Sequence, residues 1–370
     1  MCRTFHFFAL LLIFPIGIGL IVGAHGAKAN DELEWIRVAG DQTHFALSAS
    51  GRQLSPWGFN YDHDADGRLL EDYWESEWPK VEKDFADMKR LGANVVRVHL
   101  QFAKFMEDRR KPNPKGLAQL KRLVTLAERT RLYLDLTGLG CYHKKDVPAW
   151  YDALSEAERW DEQAKFWEAV AGLCKGSPAV FCYDLMNEPV VPGGKRNAGD
   201  WLGPPFGGKH FVQFITLDQA QRPRPEIARL WTQKLCAAIR QHDSRHLITI
   251  GLVEWSLDRP GLTSGFVPQA IQKDLDFLAT HIYPERGRLT EALQSLDGFN
   301  VGKPVLIEET FPLKCSMSEF AEFVDASRKT AAGHIGFYWG KTPEELRGSK
   351  GISAAITLAW LDYFTKEAKK

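Results

Sequence analysis

The sequence predicts an α/β chain of the (β/α)8 TIM-barrel class, with a short N-terminal β-hairpin and an extended loop after the fourth strand. Three observations lead there. From Asn30 onward, apolar runs of strand length alternate with amphipathic helical patterns, which requires a parallel sheet under covering helices. Eight such strand and helix steps fit in about 320 residues, the size of a closed barrel rather than of an open doubly wound sheet. No strand is followed by G-x-G-x-x-G or G-x-x-x-x-G-K-[ST], so the nucleotide-binding forms of the open sheet lack their phosphate loop.

The elements follow in order. His44 to Ser48 and Gly51 to Leu54 read as a hairpin leading into Pro56 to Asn60, the first strand of the repeat. Pro79 sits at a first-turn position of a helix presenting Val81, Phe85 and Met88 on one face, and Gly92 ends it. Strand two is Asn94 to Leu100. Leu120, Leu123, Val124 and Ala127 then mark a helix handing over to strand three, Arg131 to Thr137. The next helix opens on a capping box, Ser155 and Glu158, and runs to Gly176. Strand four is the apolar run Cys182 to Met186, stopped by Asn187, Glu188 and Pro189. An irregular insert from Val190 to Arg222 follows, too long for an ordinary connection, and its Trp201, Phe206 and Phe211 favour order. Ile227 to Ala238 is helical, Leu247 to Leu252 is strand five, Phe277 to Tyr283 strand six, and Leu289 to Leu296 a short helix. Pro304 to Glu309 forms strand seven, Ser316 and Glu319 cap another helix, His334 to Trp339 is strand eight, and Ile352 to Phe364 closes the chain.

With 370 residues and 44% hydrophobic content the chain can bury a large core. Its 47 basic and 47 acidic side chains cancel without blocks of like charge, which argues against nucleic acid or an anionic membrane surface as partner. Phe7 to Ala24 is an apolar run after Arg3, followed by Ala27, Lys28 and Ala29 in an A-x-A pattern. Residues 1–29 are therefore expected to be a secretory signal peptide, with an N-terminal membrane anchor as the alternative, and residues 30–370 a single exported domain, secreted or held in the periplasm or cell envelope. Beyond the signal lie Cys141, Cys174, Cys182, Cys236 and Cys315, an odd set to which no disulfide is assigned.

Barrels of this class carry their chemistry at the C-terminal ends of the strands. Here those ends deliver Arg97, Asn187, Glu188, His281, Tyr283, Glu308, Glu309 and Trp339. Strands four and seven both end in Glu, the pairing needed when one carboxyl protonates a leaving oxygen while another attacks or stabilises an oxocarbenium-like centre. No cofactor or metal is expected: His242 and His246 have i, i+4 spacing but flank a helix end and read as exposed or as compensating the helix dipole.

In the order Gly58-Phe-Asn60, Asn94-Val-Val-Arg97, Asn187-Glu188-Pro189, His281-Ile-Tyr283, Pro304 to Glu309 and Trp339, these motifs resemble glycoside hydrolase family 5, the cellulase and mannanase family, over nearly the whole chain after the signal. The resemblance implies that Glu188 is the acid/base and that the nucleophile lies on strand seven. It implies that Arg97 and Tyr283 hold the nucleophile, that Asn187 binds the sugar 2-hydroxyl, that His281 sits near the acid/base, and that Trp339 stacks on the sugar. Because side chains alternate along a strand, only one of Glu308 and Glu309 is expected to face the mouth. The family's spacing of five residues from the proline selects Glu309, leaving Glu308 toward the helical layer or a neighbouring polar group. Two departures are Thr310-Phe311, where the family has an aromatic and Gly, and Thr137, where its cellulases have His; His143 is the nearby substitute. Trp57, Tyr61, Trp150, Trp201 and Trp255 are further stacking candidates. The expected activity is that of an exported retaining β-glycoside hydrolase acting on glucan- or mannan-type polysaccharide or oligosaccharide; the competing class is a catalytically silent carbohydrate-binding barrel.

Overall fold

Eight parallel strands close into one barrel in the computed structural model, which describes Met1, residues 32–337 and residues 339–369. In order they are Trp57–Asn60, Val95–Gln101, Tyr133–Gly140, Val180–Asn187, Leu247–Val253, Leu278–His281, Val305–Thr310 and Ala331–Gly336, and strand eight pairs with strand one to complete the ring. The expected signal segment, residues 1–29, lies outside the described residues apart from Met1. Among the described residues, no helix is long and apolar enough to cross a membrane.

The covering helices begin where the local chemistry places them. Trp78–Arg90 carries Pro79 in its first turn and turns the fully buried Val81, Phe85 and Met88 onto the barrel. The helices Glu156–Cys174 and Met317–Ser327 both open on complete capping boxes, at Ser155 with Glu158 and at Ser316 with Glu319. After strand two the chain makes an excursion that the sequence pattern did not reveal, a helical turn Phe102–Phe105 and a small ladder of Met106–Asp108 with Lys111–Pro112, before the helix Pro114–Thr130.

The hairpin is a three-stranded antiparallel sheet, Ile36–Val38, Phe45–Leu47 and Gln53–Leu54. It seals the N-terminal end of the barrel: Phe45 is wholly buried, with Phe181 and Phe277 each edge-on at 5.0 Å. Chemistry is thereby confined to the opposite end. The long insert after strand four is ordered. Pro189–Val190 pairs in parallel with Gln213–Phe214. Trp201, 1% exposed, donates to Asp152 Oδ1 at 2.7 Å, and Arg222 forks onto Glu156 at 2.7 and 2.9 Å, so the insert is pinned to the helix Glu156–Cys174 and the turn before it.

All five cysteines among the described residues are free. His246, read as exposed, is buried instead: Asp243 accepts from its ring and Ser177 O lies 2.8 Å from its Nε2, a structural arrangement at the foot of strand five.

Candidate active site

Strand two places Arg97 and His99 two residues apart and hence on the same inward face. A buried guanidinium is tolerated only with anionic and hydrogen-bonding partners, and Arg97 has them on both sides. Nη1 donates to Glu309 Oε1 at 2.6 Å and Asn60 Oδ1 at 2.9 Å; Nη2 donates to Asp184 Oδ2 at 2.8 Å and Asn187 Oδ1 at 3.0 Å, with Glu308 Oε2 at 3.4 Å. Arg97 thus ties strands one, two, four and seven together beneath the mouth.

Glu309 is held at both oxygens, Oε1 by Arg97 and Oε2 by the Tyr283 hydroxyl at 2.7 Å. Glu188 follows the end of strand four with φ +47°, a left-handed conformation uncommon outside glycine, and its amide donates to Gly251 O at 2.9 Å. That local twist aims its carboxylate at the one on strand seven. Glu188 Oε1 lies 2.9 Å from His281 Nδ1, and Glu309 Oε2 lies 3.6 Å from the same nitrogen. One oxygen of each carboxylate and a ring nitrogen of His281 all fall within 4.8 Å of one another. The sixth strand's irregular pairing, which sets His281 opposite Glu309, produces this convergence.

A second irregularity decides between the two places expected for Glu308, which lies against neighbouring polar groups and not in the helical layer. In a regular strand it would turn outward, but the ladder between strands seven and eight shifts between Ile307 and Thr310. Glu308 is instead fully buried inside the barrel, 3.4 Å from both Arg97 Nη2 and His281 Nε2. Strict alternation fails because strand seven is distorted at its end.

Electrostatics follow from this packing. Burial alone would discharge His281, but the charge of Glu309 and the hydrogen bonds of Glu188 and Glu308 outweigh it and raise its pKa to about 10, so it is an imidazolium at neutral pH. Burial and then the charge of Glu309 push Tyr283 well up, so it stays a donor. Burial would also raise Glu308, yet Arg97 and His281 hold it below the usual value. Burial and then the charge of Glu308 push Asp135 well up against the pull of Arg97. Asp135, Asp184 and Glu308 have the spacing of a cation site, and the guanidinium of Arg97 already supplies the cation that faces them.

The sequence matches the family model for cellulase, glycosyl hydrolase family 5, over residues 49–339. The chain belongs to glycosyl hydrolase family 5. None of the curated proteins matches it. Among solved structures it is similar to the exo-β-1,4-mannosidase Op5Man5 from Opitutaceae bacterium strain TAV5 (TM-score 0.66, 17% identity, 90% of this chain and 62% of that one). It is also similar to a GH5_18 protein from Streptomyces cattleya in complex with Manβ1-4GlcNAc (0.63, 16%, 85% and 80%). A third is the endo-1,4-β-mannanase from Rhizomucor miehei (0.60, 17%, 90% and 100%). The chain spans just under two thirds of the Op5Man5 structure.

For this family 5 chain the expected sugar-stacking Trp339 requires correction. Strand eight ends at Gly336, not at Trp339, and Trp339 is 1% exposed, packed against Phe59 with ring centroids 5.3 Å apart. Phe337 takes the place at the mouth, lining a cleft of about 680 Å³ with Asn187, Glu188, Tyr283 and Glu309. Of the other aromatics, Tyr61 and Trp201 are buried, Trp57 stacks on Phe364 at 4.8 Å, Trp150 packs on Phe102, and Trp255 borders a shallow depression that shares Tyr283 with the main cleft.

Three further residues of the network escaped the sequence reading. His99, pushed well below its usual value by burial and by Arg97, is a neutral ring between Asn60 Oδ1 (3.2 Å) and the Tyr142 hydroxyl. Tyr142 thus reaches the site where His143 was expected to, while His143 faces a separate small depression. Asp184 accepts from Arg97, from Thr137 at 2.7 Å and from the Gly251 amide at 2.7 Å. The available signal was polar residues at period two inside apolar strands: Arg97 and His99, Asp135 and Thr137, then Asp184.

Proposed function

We propose that the protein is an exported, retaining β-glycosidase that cleaves a β-linked mannosyl or glucosyl residue by double displacement. The observation that carries this reading is the approach of Glu188 and Glu309 within 4.8 Å, oxygen to oxygen, across His281. Such an approach suits the roughly 5–5.5 Å carboxyl separation of retaining enzymes better than the roughly 6.5–9.5 Å of inverting ones, which hold a water between their carboxyls.

In this mechanism Glu188 gives its proton to the glycosidic oxygen while Glu309 attacks the anomeric carbon. Water then enters from the vacated side, Glu188 takes its proton, and the ester to Glu309 breaks. Arg97 and Tyr283 hold both oxygens of Glu309 and keep it aimed. The Asn187 amide, with one hydrogen on Phe211 O at 3.1 Å, keeps the other for a sugar hydroxyl. Mannosides head the list of sugars because the similar structures include β-1,4-mannan-active enzymes.

The test is turnover of aryl β-mannosides and β-glucosides, with the anomer of the first product read by NMR. Retention is expected, and Glu309→Ala should lose at least about 10⁴-fold in rate yet form an α-glycosyl azide when azide is supplied. An initial α-hemiacetal, or a wild-type protein that binds glycosides and turns none over, refutes the reading; the latter outcome would favour the carbohydrate-binding class. For export, the mature N-terminus is expected near Asn30, and intact residues 1–29 on membrane-bound protein would establish the anchor instead.

A further inference from the structure

The wall of the cleft beyond the two carboxylates has a chemistry of its own. Seven large hydrophobic side chains are exposed among the described residues, and four of them, Phe206, Leu313, Ile352 and Ile356, border this one cleft at 74%, 59%, 82% and 36% exposure. Single exposed hydrophobics are ordinary; several gathered on one concave surface mark a binding site. They come from three separate places, the insert after strand four, the loop after strand seven and the start of the last helix, where Ile352 and Ile356 lie one turn apart. Phe311 and Phe337 line the same cleft.

What this wall lacks is equally informative. Among the described residues, no carboxylate other than Glu188 and Glu309 and no tryptophan lines the cleft, and its polar groups away from the carboxylates are His63, Lys209, Ser353 and Thr357. A polysaccharide crossing the part of the wall made by Leu313, Ile352 and Ile356 would set its hydroxyls against branched aliphatic side chains that offer neither hydrogen bonds nor a flat aromatic face, and buried unpaired hydroxyls are costly. A hydrocarbon chain meets no such penalty, and its burial is favourable in proportion to its length.

We propose that the wall is an aglycone site for an alkyl chain, so that the substrate is a β-glycoside of a long-chain alcohol. The proposal rests on the assignment of Glu188 and Glu309 above. The C1–O bond to the alkyl alcohol breaks, the proton of Glu188 goes to the alcohol oxygen, C1 bonds to Glu309, and one water then releases the sugar and returns the proton to Glu188. One glycoside and one water give one sugar and one alcohol.

The experiment measures kcat/KM for methyl, butyl and octyl β-D-mannopyranosides and β-D-glucopyranosides below their micellar concentrations, beside mannotetraose and cellotetraose. Each buried methylene is worth up to roughly fourfold, so the octyl glycoside should exceed the methyl one by at least roughly a hundredfold and exceed both tetrasaccharides. In Ile352→Ser/Ile356→Ser, with thermal unfolding confirming the fold, the octyl-to-methyl ratio should fall at least roughly tenfold. A ratio near one in the wild type, a tetrasaccharide turned over faster than the octyl glycoside, or a ratio unaltered in the variant overturns the proposal. Calorimetric binding of octyl against methyl glycoside to Glu188→Gln separates the two readings. Chain-length-dependent binding without turnover in the wild type would sustain the alkyl site and remove the hydrolase. Turnover without chain-length dependence would do the reverse, and loss of both would remove both.

Discussion

At the scale of single residues, Glu308 carries the most testable consequence. It touches Arg97 and His281, both at 3.4 Å, and so sets the charge of the groups that face Glu309 and Glu188. His281 titrates near 10 in the fold against an ordinary value of 6.5. A group whose folded pKa is raised contributes stability fully below the unfolded pKa and loses it as pH climbs through the folded one. Wild-type stability from His281 should therefore be complete below about pH 6.5 and be lost toward pH 10. Glu308→Gln removes one of the contacts that raise His281, so the loss should set in at lower pH. It should also cut kcat/KM by about tenfold or more by loosening Arg97. Urea midpoints from pH 6 to 11 for both proteins decide it, and superimposable curves would reduce Glu308 to packing. The sequence pointed to Glu309 through its distance from Pro304, but alternation left Glu308 between the helical layer and a polar neighbour, because a bulge is a property of the ladder and not of either residue.

The element that tolerates least change is strand five at Gly251. A Cβ there would stand 2.8 Å from Arg97 Nη2, 2.9 Å from Glu308 Oε2 and 3.0 Å from His281 Nε2, and its amide and carbonyl already serve Asp184 and Glu188. Those neighbours are locked charges, not loose chain ends. Gly251→Ala is expected to reduce kcat/KM by roughly a hundredfold or more while the cooperative unfolding transition survives; activity within about threefold of wild type would show that the cluster can shift. Strand boundaries explain the error at Trp339. The aromatic run Phe337 to Trp339 has strand propensity, but strand eight pairs with the short strand one only as far as Gly336 opposite Phe59. Beyond that point only single backbone bonds continue, from Phe337 to Thr310 O at 2.9 Å and from Trp339 to Asn60 O at 2.7 Å, and Trp339 packs against Phe59 while Phe337 remains at the mouth. The motif residues Asn187, Glu188, His281 and Tyr283 lie where strand ends were expected, because their strands are framed by strong apolar runs.

On the scale of the whole molecule, the two ends of the barrel have separate duties. Period and spacing in the sequence made the barrel legible, since eight strand and helix steps of this length fit a closed ring better than an open sheet. The destination of the hairpin was not legible, because the contact of Phe45 with Phe181 and Phe277 joins residues far apart in the chain and exists only once the ring has closed. The consequence is that stability and catalysis divide by location. Phe45 is 0% exposed and fills the N-terminal opening, whereas every group proposed to act on substrate lies at the C-terminal ends of the strands. Phe45→Ala should cost about 3–5 kcal/mol of stability, the usual result of emptying an aromatic site in a close-packed core. Because the cavity opens at the sealed end, Arg97 and the carboxylates around it keep their partners. Assayed well below the unfolding transition, kcat/KM should stay within about twofold of wild type. A large loss of activity in protein that is still folded at the assay temperature would show that the plug governs the geometry of the mouth and that the two ends are coupled through the strands.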